Sequence, residues 1–302
     1  MMNMEEFAKA ILVAVREKSD GTFGAWITTV TKNNDVKLTG ISTVSPDSSS
    51  GLSVYIDDYY KAYRQGKIGV DSIAEEIYRQ ITKHRGGLKE INTADFLQWD
   101  MIKHHIYAKL VNADWNEEEL GTVPHRHFLA LAVVYYIKVD GAENAGMLSM
   151  KIRNQYLEMW GQDEESLYQI AAVNMRLNGD PCFKEIEAVL RHMVPEEVMP
   201  LSSAGVGIRI YVLTNKNGVF GAAEILDTNT MQAISEMLGD DFIVIPSSVH
   251  ETIIVPADNV PEYSELADMV CEINVTHVDA EERLSNHVYR YDRNEGRLRI
   301  AV

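Results

Sequence analysis

A long apolar run, FLALAVVYYIKV at residues 128–139 with Lys138 as its one charged residue, restricts the fold more than any other feature of the chain. The run is rich in β-branched and aromatic residues, and it lacks the apolar–polar alternation of a strand with one face in water. This pattern is typical of a central strand that is buried on both faces. We therefore expect a sheet covered on both sides, with GMLSMKI at residues 146–152 as the neighbouring strand.

The segments before this run predict amphipathic helices and a hairpin. Residues 4–17 place apolar side chains on one helical stripe. Residues 56–66 and 70–87 predict two further helices that end at glycine, which accepts a left-handed cap conformation. Residues 25–44 predict a hairpin that turns at the Asn-Asn-Asp sequence of residues 33–35.

The rest of the chain predicts further strands and helices in an irregular order. A strand is expected at residues 104–112, and two helices separated by Gly161 are expected within residues 154–179. The C-terminal third predicts a hairpin of residues 208–215 and 219–225, a helix at 228–238, strands at 241–246 and 247–256, a helix at 261–275, and strands at 286–292 and 297–302. Because strands and helices do not alternate regularly, the predicted class is α+β, with mixed or antiparallel sheets and segregated helices.

A change in composition predicts two subdomains. Residues 193–207, MVPEEVMPLSSAGVG, collect Pro, Gly, Ser and acidic residues, as linkers do. We expect an N-terminal α+β domain over residues 1–195, which contains the hairpin, the helices and the central strands. We expect a C-terminal acidic α+β domain over residues 205–302.

Charge is distributed unevenly along the chain, whose formal net charge is −17. Between Asn217 and Glu282 there are fourteen acidic residues and no Lys or Arg, and five arginines then follow between Arg283 and Arg299. Such acidity favours solubility and argues against direct binding to nucleic acid phosphates. The arginines either pack back on the acidic segment, which we favour, or form a ligand-binding cluster.

The acidic segment also predicts contact with a basic protein surface, because complementary charges attract and select partners. Acidity that only keeps the chain soluble is the competing interpretation. The candidate contact residues are Glu224, Asp240, Asp241, Glu251, Asp258, Glu262, Glu265 and Asp268.

Several features predict a cytoplasmic protein without a membrane segment. No stretch reaches the roughly 18 uncharged apolar residues that a spanning helix needs. Glu5 and Glu6 precede the first apolar run, where a secretory signal would carry positive charge. Cys182 and Cys271 lie far apart and predict core thiols in place of a disulfide or a zinc site.

Ser248, His250 and Glu251, within the sequence SSVHE, form the strongest local candidate for catalysis. Hydroxyl, imidazole and carboxylate groups are the parts of an acyl-transfer triad, so a hydrolase is one hypothesis. An extended strand would place Glu251 on the face opposite the other two, and no Gly-x-Ser-x-Gly elbow or His-Glu-x-x-His helix is present. We therefore favour a structural role in which these side chains bond across strands, and we lean against an enzyme.

His125 and His127 alternate along a predicted strand, so their imidazoles share one face and form a candidate metal pair. The adjacent His104 and His105 face opposite sides and add one ligand at most, so we favour a structural or solvent-facing role. Phosphate-binding loops of the Gly-x-x-x-x-Gly-Lys or Gly-x-Gly-x-x-Gly type are absent from the sequence. We expect neither a metal nor another cofactor.

Six segments of the chain carry a resemblance to known proteins. They are TKNNDVKLTGI, VYIDDYYKAYRQG, KLVNADWNEEELGTVPHRHFLALAVVYYI, YVLTNKNGVFGAA, IPSSVHETIIVP and LSNHVYRYDR. These segments resemble a family of uncharacterised bacterial and mobile-element proteins that is known only as a domain of unknown function. The resemblance implies one α+β architecture over most of the chain, and it transfers no established activity and no catalytic residue.

The resemblance also implies an intracellular accessory role, such as an anti-defence factor of a mobile element, because such families occur in that setting. Together with the acidic segment, this favours a non-catalytic protein-interaction function. The alternative is a hydrolase-like enzyme that uses His250 and Glu251. A third hypothesis is regulation or assembly without a compact site.

Overall fold

The computed structural model describes residues 1–44, 51–84, 96, 98–139, 148–186, 209–259 and 262–302. Its helices and three antiparallel sheets confirm the predicted α+β class. Contacts divide the chain into two compact units, one of Met1–Phe96 with Lys138–Ser149 and one of Leu97–Ile137 with Met150–Val302. Among the described residues, no helix is long and apolar enough to cross a membrane.

The linker predicted at residues 193–207 lies outside the described residues, so the division into domains at 1–195 and 205–302 stays a prediction. The compact units divide the chain at other positions. Strand Pro181–Glu185 pairs with strand Tyr211–Asn215, so residues on both sides of the predicted linker contribute to one sheet.

The first unit packs helices against a three-stranded sheet. Its elements are helix α1 (Met4–Ser19), strands β1 (Gly24–Thr31), β2 (Lys37–Val44) and β3 (Gly51–Tyr55), and helices α2 (Asp57–Arg64) and α3 (Val70–His84). The predicted hairpin of β1 and β2 is confirmed, and Asn34 and Asp35 in its turn have φ angles of 60° and 55°. The apolar stripe of α1 is buried at Phe7, Ile11 and Val15, so this helix packs as expected.

The second unit begins with a sheet built around the predicted central strand. Its elements are helix α4 (Trp99–Ile102), strand β4 (Ile106–Asn112), helix α5 (Glu117–Leu120), and strands β5 (His125–Phe128), β6 (Leu131–Val139) and β7 (Leu148–Lys151). The division into units assigns the last two residues of β6 and the first two of β7 to the first unit. Antiparallel β4 and β5 flank β6, β7 also pairs with it, and residues 131–137 are buried, which confirms the central strand. The strand begins later than predicted because Leu129, with a φ of 57°, belongs to the turn between β5 and β6.

Further helices and a six-stranded sheet complete the second unit. Helices α6 (Asn154–Trp160) and α7 (Glu164–Asn178) are separated at Gly161, as predicted. The remaining elements are strands β8 (Pro181–Glu185) and β9 (Tyr211–Asn215), helix α8 (Thr228–Leu238), strands β10 (Phe242–Ile245) and β11 (Thr252–Pro256), helix α9 (Tyr263–His277), and strands β12 (Tyr289–Asp292) and β13 (Arg297–Ile300). The strands lie in the order β13-β12-β10-β11-β9-β8.

The strand predicted at residues 219–225 as the hairpin partner of β9 is wrong, because residues 221–226 form a 3-10 helix. Phe220 has a left-handed φ of 56°, which ends the extended chain. An ideal Cβ on Gly221 would lie 2.6 Å from both the Asn215 amide nitrogen and the His250 carbonyl oxygen, so glycine allows this close packing. β9 pairs instead with β8 and β11.

Candidate functional site

Several of the segments that carry the family resemblance meet in the second unit. The loop Ser247–Glu251 bonds to the 3-10 helix Gly221–Leu226 on one side and to residues 282–284 on the other. The 3-10 helix also contacts β4 and β9. We call this meeting point, formed by residues 220–224, 247–250 and 282–284 with the end of β4, the His250 junction.

The loop of the His250 junction is shaped by main-chain hydrogen bonds. The strand predicted at residues 247–256 begins only at Thr252, so Ser248 and His250 lie in a loop and not on a strand face. The Val249 amide donates to the Glu282 carbonyl (2.8 Å), and a second amide, that of Ala222, donates to the Val249 carbonyl (3.4 Å). The loop is therefore fixed from both sides by main-chain groups.

The His250 imidazole uses both ring nitrogens within the junction. The Phe220 amide donates to Nδ1 (3.2 Å), which requires an unprotonated Nδ1, and Nε2 lies 3.3 Å from a carboxylate oxygen of Glu282. Nδ1 is therefore occupied by a main-chain amide, and Nε2 faces a carboxylate. The ring also stacks on Phe220, with centroids 5.7 Å apart. A general base needs a free lone pair, and the lone pair of Nδ1 is taken by the Phe220 amide.

The three residues proposed as a catalytic group do not converge. The Ser248 hydroxyl accepts a hydrogen bond from the His250 main-chain amide (3.1 Å) and not from the ring. Glu251 is exposed, and it is Glu282 that lies beside the imidazole. The geometry therefore favours a structural role for His250.

Phe220 is held in its left-handed conformation by the groups around its ring. A positive φ is rare for a bulky side chain and persists only where the surroundings fix it. Tyr136 of β6 packs edge-on against the ring, with centroids 5.0 Å apart, and the Lys109 ammonium of β4 lies 4.5 Å from the ring centroid. These contacts join the central strand to the junction.

Glu224 is the buried acid of the junction, with 4% of its surface exposed. Burial, and to a lesser extent the charge of Asp227, raises the pKa of its carboxyl to about 7. An ideal Cβ on Gly179 would lie 3.2 Å from Glu224 Oε1, so the carboxyl packs closely against the end of α7. A buried carboxyl cannot touch a partner surface, which removes Glu224 from the candidate contact residues.

Sequence reasoning missed the contributions of Asn112, Phe220 and Glu282 to the junction. Asn112, at the end of β4, donates from Nδ2 to the Leu284 carbonyl (3.0 Å) and accepts from the Trp115 amide (2.9 Å). Asn112 and Phe220 lie in segments that carry the family resemblance, which is the signal that pointed to this region. The apolar periodicity and the charge pattern of the sequence do not distinguish Asn112, Phe220 and Glu282 from residues outside the junction.

The candidate metal pair, His125 and His127, lies on β5 as predicted. The two rings are edge to face, with centroids 5.8 Å apart, and His125 Nδ1 lies 3.1 Å from the Val123 carbonyl oxygen. In the part of the chain that the structure describes, no three His, Cys, Asp or Glu residues are grouped as metal ligands would be. His104 and His105 belong to a 3-10 turn before β4 and not to the strand.

The remaining candidate contact acids differ in what they touch. Asp241 accepts a hydrogen bond from the Arg293 main-chain amide (2.9 Å) and pairs with Arg290 (2.6 Å), and both contacts lower the pKa of its carboxyl. The C-terminal arginines therefore neutralise part of the acidic segment, as the favoured interpretation expects. The exposed candidates are Asp240, Glu251, Asp258, Glu262, Glu265 and Asp268.

Replacing His250 with alanine is expected to lower the free energy of unfolding by about 1–3 kcal/mol. The reason is that the Phe220 amide loses its hydrogen-bond acceptor and the Phe220 ring loses its stacking partner. Urea denaturation measures this loss, and His250→Asn is expected to lose less because its side-chain oxygen remains an acceptor. Glu251→Ala is the matched control and is expected to change stability by less than about 0.5 kcal/mol. Wild-type stability in His250→Ala would contradict the structural role.

The fold and the junction define an α+β protein whose loop histidine is built into the structure, with no catalytic triad at that loop. The chain belongs to the family of unknown function designated DUF5688, which matches residues 4–293. No curated protein and no solved structure matches the chain.

Proposed function

We propose that this protein is a non-catalytic interaction factor whose acidic C-terminal surface docks a basic surface of another protein. The observation that carries the proposal is the distribution of charge. Residues 217–282 contain no Lys or Arg, and six of the candidate acids in this segment are exposed. Complementary charge of this kind accelerates encounter and excludes partners of the wrong sign.

The ion pairs of the second unit support this proposal, because they separate the acids that the fold uses from those that it leaves to solvent. Asp227 and Asp241 are paired with arginines. Glu262, Glu265 and Asp268 make no ion pair with any basic side chain among the described residues. Like charges left in this way repel one another, and a basic partner would remove that repulsion.

The hydrolase alternative has less support from the geometry. A catalytic His250 would have to give up the bond from the Phe220 amide before Nδ1 could accept another proton. Its Nε2 already faces the Glu282 carboxylate, 3.3 Å away. We therefore propose that the junction acts as a structural support for the C-terminal half of the second unit.

The proposed setting is the cytoplasm. Cys182 and Cys271 are free thiols, which is the usual state in a reducing compartment. The accessory role, including that of an anti-defence factor of a mobile element, rests on the family resemblance. We propose a basic protein surface as the partner, and neither nucleic acid nor a membrane.

Affinity capture from a lysate of the source organism tests the proposal. The capture is done at low ionic strength, where salt screens charged contacts least. Under this condition the wild-type chain is expected to retain a basic protein that the variant Glu262→Gln/Glu265→Gln/Asp268→Asn does not retain. The matched control neutralises three exposed acids elsewhere in the second unit, at Glu117, Glu118 and Glu158, and is expected to behave like wild type. Absence of any retained partner, or equal retention by both variants, would contradict the proposal.

A further inference from the structure

Helix α9 presents apolar side chains to solvent beside its acids. Its inner face contains Val270 and Asn274, which are buried. On the outer side, Met269 is 55% exposed and Ile273 is 41% exposed. Single exposed apolar residues are ordinary, but adjacent ones bordered by charge are typical of a docking surface.

The helical period places these two apolar residues next to three acids. At about 100° per residue, Met269 and Ile273 form one ridge, and Glu265 and Glu272 lie directly beside it. Asp268 follows on the far side of those two glutamates. All five residues are exposed, and we call them the α9 outer face.

A second exposed apolar pair shows what distinguishes the α9 outer face. Val173 and Leu177 of α7 are 48% and 74% exposed and have the same spacing of four residues. The positions that correspond to Glu265 and Glu272 are occupied there by Gln169 and Arg176. An apolar ridge with an acidic border is therefore a property of α9 and not of every exposed helix in this unit.

We infer that the α9 outer face docks an amphipathic helix of a partner protein whose polar border is rich in Lys and Arg. The apolar stripe of that helix covers Met269 and Ile273, and its basic side chains pair with the acids beside them. Methionine suits this role because its unbranched side chain adapts to the surface that it meets. The inference rests on the proposed function and specifies the structural class of the basic partner.

Synthetic peptides of about 18 residues, long enough for five helical turns, provide the probe. One peptide places Leu and Lys in an amphipathic helical pattern, and the other has the same composition in scrambled order. Fluorescence anisotropy is expected to show tighter binding of the amphipathic peptide to wild type. The variant Met269→Ser/Ile273→Ser is expected to bind the amphipathic peptide about tenfold more weakly, or weaker still. Its affinity for the scrambled peptide is expected to equal that of wild type.

The control variant Val173→Ser/Leu177→Ser removes the other apolar pair and is expected to bind both peptides like wild type. Circular dichroism and the thermal midpoint establish that each variant is folded. If Met269→Ser/Ile273→Ser binds the amphipathic peptide as tightly as wild type, the α9 outer face is not the docking surface. The affinity capture then decides the proposed function separately. If wild type retains a basic protein that Glu262→Gln/Glu265→Gln/Asp268→Asn does not retain, the proposed function survives. If the two proteins retain it equally, the proposed function fails as well.

Discussion

Replacing Gly221 with alanine is expected to lower the free energy of unfolding by about 3 kcal/mol, because the added methyl group has no space in the His250 junction. Its carbon would lie 2.6 Å from the Asn215 amide nitrogen and 2.6 Å from the His250 carbonyl oxygen, and it would also press on the Thr214 hydroxyl. Two of these three groups are main-chain atoms. They cannot rotate aside as a flexible side chain can, so β9 or the loop must shift.

Gly121→Ala is the matched control for this substitution, because an alanine there meets only the Glu118 carbonyl oxygen at 3.5 Å. Gly121 has a φ of −60°, which alanine adopts without strain. We therefore expect the free energy of unfolding to change by less than about 1 kcal/mol. Urea denaturation of the two variants and the wild type gives the comparison. Equal stability of Gly221→Ala and Gly121→Ala would show that the 3-10 helix does not pack against β9 and the loop as described.

Replacing Glu224 with glutamine is expected to stabilise the protein by about 3–4 kcal/mol above neutral pH. The ordinary pKa of the carboxyl is 4.5, and we assign this value to the unfolded chain. In the folded protein its pKa is about 7. As the pH rises between these values, the unfolded state loses its proton first, so the wild-type protein loses stability and the loss is complete above pH 7. At about 1.4 kcal/mol per pKa unit, this difference corresponds to about 3–4 kcal/mol.

Glutamine has the size of glutamic acid and does not ionise, so the benefit of Glu224→Gln depends on pH. Below pH 4.5 the two proteins are expected to have similar free energies of unfolding, and near pH 8 the variant is expected to be the more stable one. Urea denaturation across this range measures the difference, with the exposed Glu265→Gln as the control. A difference that does not change with pH would show that Glu224 is not buried as described.

Much of the fold follows from local sequence patterns. The apolar stripe of α1 and the apolar residues 131–137 of β6 each require burial, and the packed structure provides it. The segment after β9 could not be predicted in this way. Its small and apolar residues, VFGAAEI, fit a strand or a compact turn equally well, and the choice depends on Gly221 meeting a loop about thirty residues away in the sequence.

The candidate site was predictable in location but not in role. The segment SSVHE was identified from its residue types, yet the partners of His250 are Phe220 and Glu282, which only the folded chain brings near. The sequence places Glu224 among the surface acids, because a sequence shows charge and not burial. Asp240 and Asp258, by contrast, are exposed as a contact role requires.

We propose that the protein acts by charge-driven docking of a basic partner on the acidic C-terminal surface. The most direct measurement is the dissociation constant of the captured basic protein at about 50 mM and about 300 mM salt, for wild type and for Glu262→Gln/Glu265→Gln/Asp268→Asn. The predicted result is a wild-type affinity that falls by about tenfold or more with added salt, and a variant that is already weak at low salt and changes little. An affinity that responds neither to salt nor to the three substitutions would contradict the claim.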